Sequence, residues 1–432
     1  MLDLEIVPER SLGCDAWEFV LGMHFSQAVA IIQSQVGTIR GVQVLYSDQN
    51  PLSVDLVINM PQDGVRLIFD PVAQRLKIIE IYNMKLVKLR YCGMCFNSPE
   101  ITPSIEQVEH CFGATHPGLY DSQRHLFALN FRGLSFYFPV DSKFEPGYAH
   151  GLGSLQFPNG GSPVVSRTTI YYGSQHQANS TSGGASTAPL PELPLSCYRQ
   201  QLHLRRCDVL RAGNVTRGLR LHMFTEGEGT DDRALEPVQV STCRVVEFGQ
   251  SCQAVARALG APARLYYKAD DKMRIHRPTA RRRPPPASDY FLNYFTLGLD
   301  ILFDARTHAV KKFVLHTNYP GHYNFNMYHR CEFELAVQPD KCDPNSLVDN
   351  RGAVTITAYS KWEVVSRALR VCERPVVLNR ASSTNTTNPF GSTFCYGYQD
   401  MIFEVMSNNY IASITLYQPE GVRPHYAVNS IA

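Results

Sequence analysis

No stretch of the chain approaches the roughly 20 consecutive apolar residues that a membrane-spanning helix requires, although hydrophobic residues make up 44% of it. The opening residues, MLDLEIVPERSLG, are acidic early and hold no apolar run of signal-peptide length. A soluble protein in a reducing compartment is therefore expected. Charge of one sign is also lacking. Over 432 residues, 41 Lys and Arg nearly balance 39 Asp and Glu, for a net charge of +2. No general field draws this chain to nucleic acid or to an anionic membrane, so any such contact has to be local. Catalytic signatures are missing too. There is no glycine-rich phosphate loop opening a helix, no G-x-S-x-G elbow and no H-E-x-x-H. Twelve cysteines are present, but they are scattered and read as free buried thiols rather than as a disulfide framework. Cys92 and Cys95 form a CxxC pair. A second pair or a His pair at short spacing, which zinc would need, does not follow nearby. The sequons at Asn179, Asn214 and Asn385 carry no meaning without secretion. No cofactor or metal is expected.

What the chain does contain is length and internal similarity. At 432 residues it exceeds one ordinary core, and two or three domains are expected. Residues 64–82 read GVRLIFDPVAQRLKIIEIY and residues 298–316 read GLDILFDARTHAVKKFVLH. The two align without a gap. Gly64/Gly298, Phe69/Phe303, Asp70/Asp304 and Lys77/Lys311 are identical, and the apolar columns agree. Each segment reads as strand, turn, strand, with Asp-Pro and Asp-Ala at the turn. Upstream lie two matching helix starts, LGMHFSQAVAIIQ from Leu21 and FGQSCQAVARALG from Phe248, sharing Gln-Ala-Val-Ala. Ser26 and Ser251 are the expected N-caps, although Ser251 falls one column earlier. Val29, Ile32 and Val36 recur at helical spacing and are expected to be buried.

Weaker copies follow each strong one. ITPSIEQVEHCFG is a helix opened by Thr102 and Pro103 and closed by Gly113, followed by HLFALNFRGLSFYFPV. Near the end, YSKWEVVSRALRV supplies a helix from Ser360, and FCYGYQDMIFEVMSNNYIASITLYQP a strand, a Ser-Asn-Asn turn and a strand. The expected fold is α+β: repeated modules of helix plus antiparallel β-hairpin or sheet, in two pseudo-equivalent halves. The halves are residues 1–150 and 246–432. A β-rich connector occupies 151–245, and a mobile Ser/Gly/Pro-rich loop is expected at 174–194. A second loop, 277–288, reads RPTARRRPPPAS, and its proline run excludes helix or central strand.

The densest polar stretch is LHTNYPGHYNFNMYHR, residues 315–330. Metal binding there would need converging ligands, and acidic residues are absent until Glu332. Clustered Tyr, Phe and His suit an interface instead. The partner-binding candidates are Tyr319, Pro320, Gly321, His322, Tyr323, Asn324 and Tyr328, extended by Asn388, Pro389 and Phe390 of the NPFGSTFCYGY cluster. Gly321 after Pro320 predicts a tight turn that presents Tyr319, His322 and Tyr323 outward. Arg281, Arg282 and Arg283 are weaker candidates for phosphoinositide head groups or acidic peptides.

The block at 289–335, DYFLNYFTLGLDILFDARTHAVKKFVLHTNYPGHYNFNMYHRCEFEL, resembles the matching stretch of the phagosome assembly factor 1 family. So do YKADDKMRIH, YSKWEVVSRAL, NPFGSTFCYGYQDMIFEV, NNYIASITLY, GCDAWEFVLGMHFSQAVAIIQ and YAHGLGSLQFPNG. The resemblance covers nearly the whole chain and fails at 174–194, 230–240 and 277–288, so no function is carried onto those loops. It implies a cytoplasmic protein acting in autophagy at the phagophore. It implies a complex with a WD40 β-propeller partner of the breast carcinoma amplified sequence 3 type, and through it an association with phosphoinositide-marked membrane. The expected function is a non-catalytic scaffold; the alternative is a module that binds phosphoinositide or lipid directly.

Overall fold

The computed structural model describes residues 1–113, 118–121, 123–140, 163–173, 190–227, 238–268, 288–339, 352–379 and 390–418. The chain divides into two compact units, Met1–Cys197 and Tyr198–Ala432. The first runs β1 (Leu2–Val7), β2 (Ser11–Cys14), β3 (Trp17–Val20), α1 (Phe25–Ser34), β4 (Gln43–Leu45), β5 (Leu56–Met60), β6 (Val65–Phe69), β7 (Leu76–Ile81), β8 (Val87–Tyr91), β9 (Met94–Asn97), α2 (Ile105–Phe112), β10 (Leu119–Asp121), β11 (Leu126–Phe131), β12 (Leu134–Pro139) and β13 (Arg167–Tyr171). The second runs β14 (His203–Ala212), β15 (Val215–Gly227), β16 (Val238–Glu247), α3 (Cys252–Leu259), β17 (Arg264–Tyr267), β18 (Tyr290–Tyr294), β19 (Leu299–Phe303), β20 (Val310–His316), β21 (Phe333–Val337), β22 (Val354–Thr357), α4 (Trp362–Leu369), β23 (Val376–Leu378), β24 (Thr393–Tyr398), β25 (Met401–Val405) and β26 (Ile411–Tyr417).

The sheet orders of the two units correspond strand for strand. The first has β3-β2-β1-β8-β9 and β10-β11-β12-β13-β7-β6-β5-β4; the second has β16-β15-β14-β21-β22 and β17-β18-β19-β20-β26-β25-β24-β23. In each five-stranded sheet one pairing is parallel, β1 with β8 and β14 with β21. Parallel neighbours need a long crossover, and α1 with β4–β7, or α3 with β17–β20, lies in that connection. Each eight-stranded sheet is two antiparallel meanders joined through their last strands, β7 with β13 and β20 with β26.

A helix precedes each meander and docks in the same way all four times. The first helical N–H bonds the carbonyl of a residue just before the meander's last strand: Phe25 to Gln74 at 2.9 Å, Ile105 to Pro163 at 3.1 Å, Cys252 to His308 at 2.9 Å and Trp362 to Asn409 at 2.8 Å. The N-cap residues His24, Ser104, Ser251 and Lys361 each form an isolated antiparallel bridge to the same segment. One of the four donors that a helix leaves unpaired at its start is thereby satisfied in every module. In the second unit a single apolar core draws on both sheets and both helices, with Leu221 and Phe333 from one sheet, Ile301, Phe313 and Ile414 from the other, and Val255 and Trp362 from the helices.

The α+β expectation fits in part. Strands dominate the described residues, and the four helices have only eight to ten residues each. The two-halves pattern holds, with three strands ahead of α1 and α3 that the hairpin alignment did not include. The connector expected at 151–245 differs in kind: β13 is the central partner of β7, and β14–β16 are three of the five strands of a sheet. The final segment forms three strands rather than two, because Gln399 turns with φ of 52° and splits it into β24 and β25.

Local corrections follow the same logic. The N-cap of α1 is His24, whose Nδ1 accepts from Ser26 N at 3.2 Å, while Gln27 Oε1 accepts from His24 N at 3.1 Å. Ser26 is thus already inside the helix. Ser251 does cap α3, its Oγ accepting from Ala254 N at 3.3 Å. With His24 and Ser251 equivalent, the shared Gln-Ala-Val-Ala is one residue out of backbone register, and Ala28 corresponds to Val255. The buried residues of α1 are Phe25, Ala28 and Ile32; Val36 lies beyond its end and is exposed. Of the described cysteines, Cys111, Cys197, Cys207 and Cys331 are buried free thiols, whereas Cys92, Cys243 and Cys372 are exposed. Cys92 and Cys95 belong to the β8–β9 hairpin.

Candidate functional site

Strand alternation sends Leu299, Ile301 and Phe303 of β19 into the core and Asp300 to the opposite face. Asn293 pairs with Asp300 across β18–β19 and donates to its Oδ1 at 2.6 Å. His316, at the end of β20, brings Nε2 to 2.8 Å from Asp300 Oδ2. The loop that leaves β20 returns over these groups. Tyr328 stacks on the His316 ring at 3.9 Å between centroids, and its hydroxyl donates to Asp300 at 2.9 Å. Burial and the adjacent Asp300 charge push the Tyr328 phenol well above its ordinary range, so it stays a donor.

A second anchor lies further along the same face. His322 Nε2 is 3.3 Å from Glu404 Oε1, and that carboxylate also accepts from Thr393 Oγ1 at 2.8 Å and Ser413 Oγ at 2.9 Å. Tyr319 is fully buried. Its ring packs on Tyr410 at 4.7 Å and its hydroxyl donates to Ala358 O at 2.9 Å. Arg330 lies over both Tyr319 and Tyr359, at 5.0 and 5.2 Å, and donates to Thr317 O. Tyr359 in turn donates to Glu332 at 2.6 Å; burial raises the Glu332 carboxyl above its usual range. The turn backbone closes through Phe325 N to His322 O and Met327 N to Asn324 O.

The outward presentation expected for the loop is therefore corrected. Tyr319, Pro320, His322 and Tyr328 are buried, and Gly321 and Asn324 are half-buried. Tyr323 at 39% and Met327 at 41% are the exposed side chains, with Phe325 half-buried between them. The physical reason is that the histidines and tyrosines find carboxylate and carbonyl partners beneath the loop, and burying a polar ring is tolerable only when its polar atoms are so paired. Phe390 is 53% exposed. Asn388, Pro389, Arg281, Arg282 and Arg283 lie outside the described residues, as do residues 174–189 of the loop expected at 174–194 and most of 277–288.

Asp300, Glu404, Asn293 and Arg330 were not singled out by the sequence. The available signal was a carboxylate inside an otherwise apolar strand, in GLDILF and in MIFEV, where alternation places it off the core face. The acid–base groups of the site bond one another and face the loop. What the arrangement does chemically is hold a rigid turn whose solvent-facing crest is Tyr323, Phe325 and Met327. Among the described residues no group of three or more His, Cys, Asp or Glu is arranged to hold a metal ion.

Comparison with known proteins adds an independent line. The family model described as phagosome assembly factor 1 matches residues 15–417. The PHAF1 protein of Drosophila melanogaster is 64% identical over 427 residues, covering 96% of this chain and 94% of that relative. PHAF1 proteins of Arabidopsis thaliana and Caenorhabditis elegans are 37% and 34% identical, over 94% and 96% of this chain and 92% and 93% of their own lengths. No solved structure matches the chain.

Proposed function

The chain belongs to the phagosome assembly factor 1 family, and on that premise we propose that it is a non-catalytic scaffold of autophagy that binds a WD40 β-propeller partner through the crest of the 317–330 loop. The supporting observation is the contrast within that loop. Its buried side is fixed by Tyr328 on Asp300, by His322 on Glu404 and by Tyr319, while Tyr323 and Met327 are exposed at 39% and 41%. Rigid aromatic and Met side chains on a fixed turn supply contact area at low entropic cost, which is the composition of interface anchors. The scaffold acts in the cytoplasm at the phagophore, and its association with phosphoinositide-marked membrane runs through the partner. No described helix is long and apolar enough to cross a bilayer.

The test is the double substitution Tyr323→Ala with Met327→Ala, assayed by recovery of the propeller partner from a pull-down. Affinity is expected to fall about tenfold or more with the thermal transition unchanged. Full recovery of the partner overturns the reading. Tyr319→Ala serves as the contrast, because it removes a fully buried ring and is expected to cost about 3–5 kcal/mol of fold stability.

A further inference from the structure

A cavity of about 470 Å³ opens on the outer face of the first unit's eight-stranded sheet, within the size range of ligand pockets. Ile78, Leu126 and Ala128 give it an apolar floor, and Tyr137 and Arg167 line one wall. These residues alternate with Ile79, Phe127, Leu129 and Phe136, which are buried on the other face. Arg167 lies over the Tyr137 ring at 4.5 Å and reaches Glu80 at 3.1 Å; Arg66 contacts the same carboxylate at 3.5 Å.

Strand register identifies the corresponding place in the second unit. Ile79 and Phe313 are equivalent, and counting across the sheet matches Leu126, Tyr137 and Arg167 to Thr393, Glu404 and Ser413. That second trio is the one that receives His322 from the aromatic loop. The loop is delivered by the connection between β20 and β21, residues 317–332. The first unit's equivalent connection, between β7 and β8, is only residues 82–86. The receiving site recurs in the first unit, but that connection is too short to bring a segment to it.

At the matched positions an acid is lost and a cation gained: Glu404, which accepts a histidine, is replaced by Tyr137, and Ser413 by Arg167. Arg167 shares the Glu80 carboxylate with Arg66, and Arg124 with Asp121 completes the charged lining, so the cavity is balanced as a whole and its inward cation is Arg167. We propose that this cavity is a docking site for an extended segment of a partner protein carrying a carboxylate beside aromatic residues, its acid pairing with Arg167 and its rings lying on the Ile78–Leu126 floor. The site is distinct from the 317–330 crest and does not depend on it.

A peptide taken from the second unit's own loop, with acid in place of the histidine, is the direct probe: fluorescein-labelled Tyr-Pro-Gly-Glu-Tyr-Asn-Phe-Asn-Met-Tyr, titrated into the full chain by anisotropy. The Glu peptide is expected to bind about tenfold tighter than the same peptide with Gln or with the original His. Arg167→Met is expected to remove the preference. Ala128→Phe, which fills the cavity and leaves Arg167 in place, is expected to remove binding altogether, and the thermal transition of both variants reports folding. Equal affinity for the three peptides, or binding that survives Ala128→Phe, overturns the proposal. Two other outcomes also overturn it by naming a different occupant: a dimer that Arg167→Met dissociates, which assigns the face to a second copy, and a rise in probe affinity on excising residues 141–162, which assigns it to that segment.

Discussion

His316 and Asp300 face each other across the β19–β20 hairpin, Nε2 to Oδ2 at 2.8 Å, with both side chains nearly out of solvent. Asp300 also accepts from Asn293 and Tyr328. A buried carboxylate with three donors holds one end of the aromatic loop down, and removing it leaves His316 and Tyr328 without their acceptor and Asn293 with only the Tyr328 hydroxyl at 3.3 Å. Asp300→Ala is expected to destabilise the second unit by about 3–5 kcal/mol, read as a fall in the urea midpoint, and to expose the 317–330 segment to limited proteolysis before global unfolding. A variant with unchanged midpoint and unchanged cleavage would show that the loop is held without Asp300, by His322 on Glu404 together with Tyr319 and Arg330.

The backbone beneath the loop is the next point of failure. Gly298 has φ of 64°, and a Cβ there would lie 2.5 Å from His329 O and 2.6 Å from Cys331 N. Gly64, at the same position before β6, has φ of 66°, and its Cβ would lie 2.7 Å from Asn83 O. The carbonyls of Gly298 and Gly64 themselves accept the backbone N–H that closes the hairpin, from His316 and Tyr82 at 2.9 Å each. Alanine at either position therefore meets backbone as well as left-handed strain. Gly93→Ala keeps the strain, with φ of 77°, but meets nothing within 4 Å. Strain alone costs about 1 kcal/mol, and the clash is expected to add about 1–2 kcal/mol more at Gly298 and Gly64. Chemical denaturation of the three single variants gives the order; a Gly93→Ala as damaging as Gly298→Ala would refute the role given to the close approach.

The hairpins were legible in the sequence because their determinants are local. Asp304 Oδ1 accepts from Arg306 N at 2.9 Å and Thr307 N at 3.0 Å, and Asp70 Oδ1 from Val72 N at 3.0 Å and Ala73 N at 2.7 Å. Those backbone donors, with Lys311 beside them, hold the Asp304 carboxyl well below the usual carboxylate range. An Asp beginning a turn and a glycine before the strand are enough to announce such a unit. The parallel pairing of β1 with β8 leaves no comparable mark, since its partners are more than eighty residues apart and share no turn. The loop was misread for the same reason. Its composition is visible, but Asp300 and Glu404, which draw His316 and His322 inward, come from a preceding strand and from 82 residues downstream. Side-chain direction in a loop is set by partners that sequence does not place.

Acid sensitivity follows from the pair His203 and His329, whose rings lie 5.6 Å apart. Burial and the neighbouring His203 lower the His329 imidazole to about 3, and burial also lowers His203 from its ordinary value. Both are neutral in the fold, and in the unfolded chain they take up protons near 6.5. The unfolded state therefore binds more protons below that point, and stability falls as pH falls from about 6.5 toward 3. His329 retains some surface, so the loss from pH 7 to pH 5 has a ceiling of about 2 kcal/mol from this residue. The raised Glu332 carboxyl acts in the opposite direction, protonating in the fold before the unfolded chain does. The urea midpoint is expected to drop between pH 7 and 5 in the unsubstituted chain, and to drop less in His329→Asn; parallel profiles would show that another group carries the acid transition.

Arg211 and Asp400 form the most deeply buried ion pair among the described residues, Nη1 to Oδ1 at 2.8 Å, with side chains 6% and 1% exposed. Arg211 lies at the end of β14 in one sheet of the second unit, and Asp400 in the β24–β25 turn of the other. The guanidinium also bonds Thr216 Oγ1 at 2.8 Å, Asn214 O at 2.7 Å and Gln399 Oε1 at 2.7 Å, and Asp400 accepts from the Thr216 backbone N–H. Two costs compete here. Burying the charges is expensive, so the pair adds little net stability over an apolar replacement, whereas removing one partner leaves a charge that water cannot reach. Asp400→Leu is therefore expected to cost about 3–5 kcal/mol and Arg211→Met a similar amount. The double variant is expected to lie well short of the sum, because the second substitution removes the charge that the first left stranded. A double-mutant cycle of urea midpoints measures this. Simple additivity would mean that Arg211 is satisfied by Asn214, Gln399 and Thr216 without Asp400, and that the two sheets are joined by those neutral contacts rather than by the ion pair.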